Sequence, residues 1–198
     1  MGMRILKTFV GSFIAAAGIV IFLKANMGAD PLSVFLQGIM HQTGEFLGIS
    51  TFGSLSTAFG LLVLAVVWFV DRKQIGIGSI VNSIFTGLFI NLLYGLHFDI
   101  ILPTQGYFLI LLGPLVLGFG LAVYLSAGLG AGSLEAITLI LVDRSRFSLK
   151  TIRIFQDGAF VLAGVLLGAP YGLGLLTGVL LIGPSIEYSL KFLQKLPL

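Results

Sequence analysis

The chain has 198 residues, 57% of them hydrophobic and only 10% charged, and its mean hydropathy is +1.10. A water-soluble domain carries about 25% charged residues and buries only about 70% of its surface at this size, so lipid must be the solvent. The net charge of +3 does not point to nucleic acid, because the basic residues sit in short clusters between apolar runs, and the lack of Cys excludes disulfides, thiolate metal sites and redox pairs.

Six apolar stretches are long enough to cross a bilayer as helices, near 5–23, 52–70, 77–96, 106–125, 152–168 and 172–192. Their continuity argues against the short alternating segments of a membrane barrel. The first stretch follows Arg4 and Lys7 and contains Ala15-Ala16-Ala17, as a cleavable signal would. Its counterpart in the second half of the chain predicts instead that it is retained.

That counterpart belongs to a duplication. At a spacing of 102 residues, Gly11, Gly18, Leu23, Ala25, Gly28, Ala29 and Leu32 meet Gly113, Gly120, Leu125, Ala127, Gly130, Ala131 and Leu134. At 98, Ser50 and Gly60 meet Ser148 and Gly158. At 96, Gly76, Gly78, Gly87 and Ile90 meet Gly172, Gly174, Gly183 and Ile186. The predicted architecture is a single membrane domain over 1–198, with one repeat at 5–96 and the other at 106–192.

Basic residues set the expected orientation. With Arg4 and Lys7 in the cytoplasm, six crossings also place Arg72/Lys73, Arg144/Arg146/Lys150 and Lys191/Lys195 there. The loops near 97–105 and 169–171, which lack Lys and Arg, then fall outside, with Lys24 as the exception. Three crossings per half is an odd number, so the second half is inverted relative to the first, a plan common among secondary transporters. Both termini are predicted on the cytoplasmic side of a bacterial inner membrane.

A shorter segment follows the first crossing of each half. Residues 30–40 open with Asp30 as N-cap and Pro31 at the first helical position, and 133–142 open with Ser133 as N-cap. Ten or so helical residues span about 15 Å, half the hydrocarbon thickness. The fold class expected is therefore all-α and polytopic: six transmembrane helices plus two short re-entrant or interfacial half-helices, arranged as two inverted repeats.

The block Lys24-Ala25-Asn26-Met27-Gly28-Ala29-Asp30-Pro31-Leu32, with Gly76-Ile77-Gly78-Ser79 and Gly87-Leu88-Phe89-Ile90-Asn91, resembles the YczE-like group within the YitT-type bacterial membrane proteins. Gly172-Leu173-Gly174 and Ile182-Gly183-Pro184-Ser185-Ile186-Glu187 look similar in the second half. The resemblance implies a transporter-like protein of the bacterial cytoplasmic membrane and supplies no substrate or catalytic residues. Where that group carries Thr after its Gly-x-Gly, this chain has Ser79 and Leu175, so no role carries over to those positions.

The Gly28-Ala29-Asp30 and Gly130-Ala131-Gly132-Ser133 turns are the sharpest candidate site. A helix that starts inside a membrane points unpaired N–H groups and a partial positive charge at the cavity it faces. Paired half-helix N-termini hold anionic groups in several transporters. The plain alternative is that each turn only caps its helix. Glu135 joins this set from the first turn of the second half-helix.

Lys24, Asn91, Asp157 and Glu187 are candidates for coupling or for lining a pathway; a carboxylate in a span costs about 2.5–3.5 kcal/mol at its centre. Each has a plainer reading: Asp157 paired with Arg153, Glu187 with Lys191, Asn91 and Asn82 as helix glue, Lys24 reaching the outer surface. His41 and His97 read as solvated loop residues. Phe residues and Trp68 near helix ends read as interface anchors.

No metal-ligand His spacing, nucleophile set or nucleotide-binding glycine pattern after a strand is present, so an enzyme, a metal and a cofactor are not expected. The leading function is a secondary permease for a small solute, suited by the half-helix termini to an anion, working by alternating access. The alternatives are a substrate-binding membrane subunit of an energy-coupled uptake complex and a non-transporting scaffold or regulator. Expected partners are the bilayer, the solute, and either a second copy or a partner subunit.

Overall fold

The computed structural model describes residues 1–25, 27–43, 51–96 and 103–195. Among them are eight α-helices and no strand: α1 (Gly2–Ala25), α2 (Pro31–Thr43), α3 (Phe52–Val70), α4 (Ile77–Tyr94), α5 (Pro103–Ser126), α6 (Ser133–Asp143), α7 (Leu149–Leu166) and α8 (Leu173–Lys195). Five of these, α1, α3, α4, α5 and α8, are long and apolar enough to cross a membrane. α7, the sixth expected span, has 18 residues but carries Lys150, Arg153 and Asp157. Phe69, Phe155, Leu166 and Leu176 are strongly exposed, which suits an outer surface solvated by lipid.

Helix ends follow capping chemistry more closely than apolar runs. α7 begins at 149 instead of 152, because the Ser148 hydroxyl accepts a hydrogen bond from Thr151 N at 3.2 Å and caps the turn that carries Lys150. α2 has 13 residues and α6 has 11, about 20 and 16 Å at the helical rise and short of a full crossing. Asp30 caps α2 as the sequence suggests. Ser133 does not cap α6: it is the first helical residue, and Gly132 holds the cap position without a side chain.

The two longest helices, α1 and α5, form the central pair. They touch through small residues: a Cβ on Gly11 would lie 2.5 Å from Tyr124 N, and one on Gly18 would lie 2.5 Å from Leu117 N. Close backbone approach of this kind is what holds helices together where lipid removes the hydrophobic drive. Ala15, Ala16, Phe22, Leu117, Leu121 and Ile182 complete the apolar core around the pair.

The remaining pairings recur across the two halves. α1 packs on α4 as α5 packs on α8, and α3 packs on α4 as α7 packs on α8. The short helices are exchanged, α2 lying on α7 and α6 on α3. Gly174 N donates to Met27 O at 2.8 Å, and Gly78 N donates to Leu129 O at 2.8 Å. Gly28 (φ 100°) and Gly130 (φ 109°) make the sharp turns beside these bonds, in backbone conformations that a side chain would strain. Both short helices therefore start deep in the molecule, each held by the opposite half.

Candidate functional site

At the start of α2, Asp30 is buried and its carboxylate is consumed locally. Oδ2 accepts from Ser33 N at 3.1 Å and Oδ1 accepts from the Ser33 hydroxyl. Pro31 has no N–H to satisfy, so one carboxylate suffices to cap the turn.

The start of α6 is built differently. No side chain caps it; instead the Tyr124 hydroxyl, from α5, accepts from Gly132 N and donates to Glu135 Oε2 at 3.3 Å. The other Glu135 oxygen, Oε1, accepts from Arg153 Nη1 at 3.0 Å. Arg153 Nε is shared between both Asp157 oxygens at 2.9 and 3.0 Å, one turn along α7. Thr138 Oγ1 donates to Gln156 Oε1 at 2.9 Å and braces α6 against α7 beside the ion pairs. All of these charges are buried, where removing one partner of a pair costs about 3–5 kcal/mol.

Both first turns wall one cavity of about 70 Å³, together with residues of α1, α3, α4, α5 and α7. Asp30, Ser133, Glu135 and Arg153 all reach it. Three polar groups on its wall have donors to spare. Among the described residues, Arg153 Nη2 finds no acceptor once Nε and Nη1 are committed. Asn82 Oδ1 accepts from Ser12 Oγ at 2.7 Å and Thr86 Oγ1 at 3.2 Å, which leaves its Nδ2 unused. The Ser83 hydroxyl is buried with no partner. An unmet donor in such a place costs about 1–3 kcal/mol, so a ligand that meets several is favoured. Among the described residues no three His, Asp or Glu side chains group as metal ligands would.

A wider cavity of about 670 Å³ lies one helical turn beyond, lined by Leu23, Gln37, Phe52, Ile90 and Asn91. Leu23, Phe52 and Ile90 each stand four residues from a residue of the inner cavity wall: Ile19, Ser56 and Thr86. These apolar side chains line the wider cavity and are not part of the inner wall.

The other candidate residues lie elsewhere. Gly28 and Gly130 form the turns, and Ala29 and Ala131 are buried in two small apolar clusters that lock them. Lys24 Nζ lies 4.8 Å from the centroid of the Tyr94 ring. Asn91 binds α4 to the start of α3, accepting from Gly53 N at 3.0 Å and donating to Thr51 Oγ1 at 3.1 Å. Glu187 pairs with Lys191 at 2.6 Å on the surface. Asp157 stands behind Arg153, off the cavity wall. His41 is in the last turn of α2, not in a loop. His97 and Asn26 are outside the described residues.

Sequence reasoning missed the bridging role of Arg153 and overlooked Tyr124 and Ser83. A signal for the first two existed in the comparison of the repeats. Tyr124 stands where the first half has Phe22, Arg153 where it has Leu55, and Asp157 where it has Phe59. The second half carries polar groups at three positions that the first half fills with apolar side chains.

Known proteins bear on the chain as a whole. It is 30% identical over 181 residues to an uncharacterized protein of Haemophilus influenzae, covering 89% of this chain and 78% of the relative. It is 26% identical over 188 residues to the uncharacterized membrane protein YczE of Bacillus subtilis, covering 92% and 83%. It is 23% identical over 189 residues to the uncharacterized protein YyaS of the same organism, covering 94% and 92%. No solved structure matches it significantly. Residues 2–191 match the family model of DUF6198, a family of unknown function, and the chain belongs to that family as a multi-pass α-helical membrane protein.

Proposed function

We propose that this protein is a secondary permease for a small solute, with its central site at the cavity between the first turns of α2 and α6. The observation that carries the reading is the convergence there of two short-helix N-termini with Arg153 and Ser83, both holding donors that no group of the described residues meets. Binding between half-helices drawn from opposite repeats suits alternating access, since rocking one half against the other would change the side from which the cavity opens.

In this reading α7 is the sixth crossing. Its Arg153 and Asp157 face inward onto Glu135, which offsets the cost of placing charge in a span. Six crossings make the halves inverted repeats and put both termini on one side, the cytoplasmic side of the inner membrane if the basic loops are retained there. The layer of Leu23, Phe52 and Ile90 then acts as the closed gate between the wider cavity and the site.

The natural absence of Cys makes the test direct. A Ser56→Cys variant carries a lone thiol on the cavity wall, and it is reconstituted in vesicles of known orientation. A membrane-impermeant thiol reagent should label it from either face, and locking one face closed by cross-linking should favour the other. Labelling from one face only would turn the reading towards the binding subunit of a larger uptake complex. A thiol that neither face can reach would end the permease reading.

A further inference from the structure

We infer that the solute is a small planar oxyanion of the carboxylate type, and that it enters together with one proton taken up by Glu135. The inference rests on the cavity proposed above as the transport site and names what that site takes.

Size comes first. An apolar cavity of about 150 Å³ is enough to bind benzene, so 70 Å³ suits only a solute of a few heavy atoms. Hydrogen-bonding capacity comes next. Arg153 Nη2, Asn82 Nδ2 and the Ser83 hydroxyl are spare donors among the lining residues, while the nearby carboxylates of Asp30 and Glu135 already accept from Ser33, Tyr124 and Arg153. The wall asks for an acceptor. A guanidinium with Nη1 and Nη2 side by side matches the two oxygens of a carboxylate.

Charge supplies the proton. Asp30 and Glu135 share the cavity wall with Arg153, the one cation there among the described residues, and Asp157 stands behind it; Tyr124 from α5 is the other titratable group in contact with Glu135, and the parts of α1, α3 and α4 that wall the cavity bring none. An anion added to three carboxylates and one guanidinium would be repelled. Glu135, however, binds Arg153 through one Nη1 bond, whereas Asp157 holds Nε with both oxygens. The exchange that follows is balanced. A proton adds to Glu135 Oε1, its bond to Arg153 Nη1 breaks, and the incoming anion takes Nη1 and Nη2. Arg153 remains charged and paired with Asp157. The net charge of the cluster is the same before and after, so anion and proton cross as a neutral pair. Release on the other face returns the proton, and Glu135 takes back Arg153.

The test uses the full chain carrying Ser56→Cys in proteoliposomes and reads how fast the thiol is labelled with each probe present. Acetate and nitrate should slow labelling, whereas phosphate, sodium and methylammonium should not. One proton bound per anion makes the protecting concentration of acetate rise with pH, by up to about tenfold per pH unit. Adding Glu135→Gln, which imitates the protonated acid, should keep protection and remove its pH dependence. Adding Arg153→Lys, which keeps the charge and loses the fork, should abolish it, with monodisperse elution showing that the variant is folded. Protection by sodium or methylammonium, no protection by any planar anion, or an unchanged pH slope in the Glu135→Gln variant would overturn the inference. If the thiol is labelled from both faces and no planar anion protects it, the oxyanion is discarded and the permease stands; if it is never labelled, the permease itself falls.

Discussion

The turns that start α2 and α6 share a backbone and differ in chemistry. Each contains a glycine with φ near 100°, each accepts a bond from a glycine N–H that opens a helix of the opposite half, and each leads into a helix too short to cross. At α2, Asp30 and Ser33 satisfy one another and the turn is closed. At α6, the cap position is a bare Gly132, Glu135 stands where the first half has Ser33, and the turn relies on Tyr124 and Arg153 from other helices. The shared scaffold fits the duplication expected from the sequence. The differences between the copies are where a site can be looked for, because packing alone would have been served by keeping Leu55, Phe59 and Phe22 in both.

The sharpest way to break this contrast is to remove the cation. Arg153→Met strips the counter-charge from both Glu135 and Asp157 and should cost about 3–5 kcal/mol, read as a large fall in thermal unfolding midpoint in detergent. Replacing the whole triad by its first-half equivalents, with Glu135→Ser, Arg153→Leu and Asp157→Phe together, leaves none of the three charges in place. That variant should recover most of the loss in stability while losing all anion protection. If it is no more stable than Arg153→Met, the charges are not the reason the halves differ. Next in size is Gly132→Ala. Its φ of −65° allows a side chain, but the new Cβ would lie 2.5 Å from Glu135 Oε2 and 2.7 Å from Asn82 Nδ2. Overpacking of this kind costs about 1–3 kcal/mol. Asp30→Ala should cost about 1 kcal/mol as an ordinary lost cap, and sparing the protection by acetate would confirm that the α2 turn is the structural one.

How much of this could be read in the chain divides along the range of each interaction. The short segments, their opening at Asp30 and near Ser133, and the pairs Arg153–Asp157 and Glu187–Lys191 are all set within four residues, and periodicity and capping rules reach that far. The ends of α7 escaped an apolar reading because Ser148 starts the helix before the apolar run begins. The link from Glu135 to Arg153 crosses 18 positions and depends on α6 lying against α7. The bond from Tyr124 to Gly132 depends on where the α5–α6 turn folds back. Neither has a local signature. The unmet Ser83 hydroxyl is a property of the cavity and of no sequence motif.

A conservative change sharpens the comparison from inside the α6 turn. Tyr124→Phe converts the position to the aromatic hydrocarbon that the first half carries at Phe22, keeping the ring and its packing. It leaves Gly132 N and Glu135 Oε2 without the hydroxyl that joins them, a loss of about 1–3 kcal/mol for groups kept from water. The smallest effect is expected where a carboxylate and a cation meet outside the site. Lys191→Ala removes the partner of Glu187 from an exposed end of α8, where water replaces the ammonium, and the unfolding midpoint should not move measurably. Two carboxylates would then have lost a hydrogen-bond donor, one with a clear cost and one without. Equal costs would mean that burial at the α6 turn adds nothing to its chemistry, and the case for a site there would lose its physical basis.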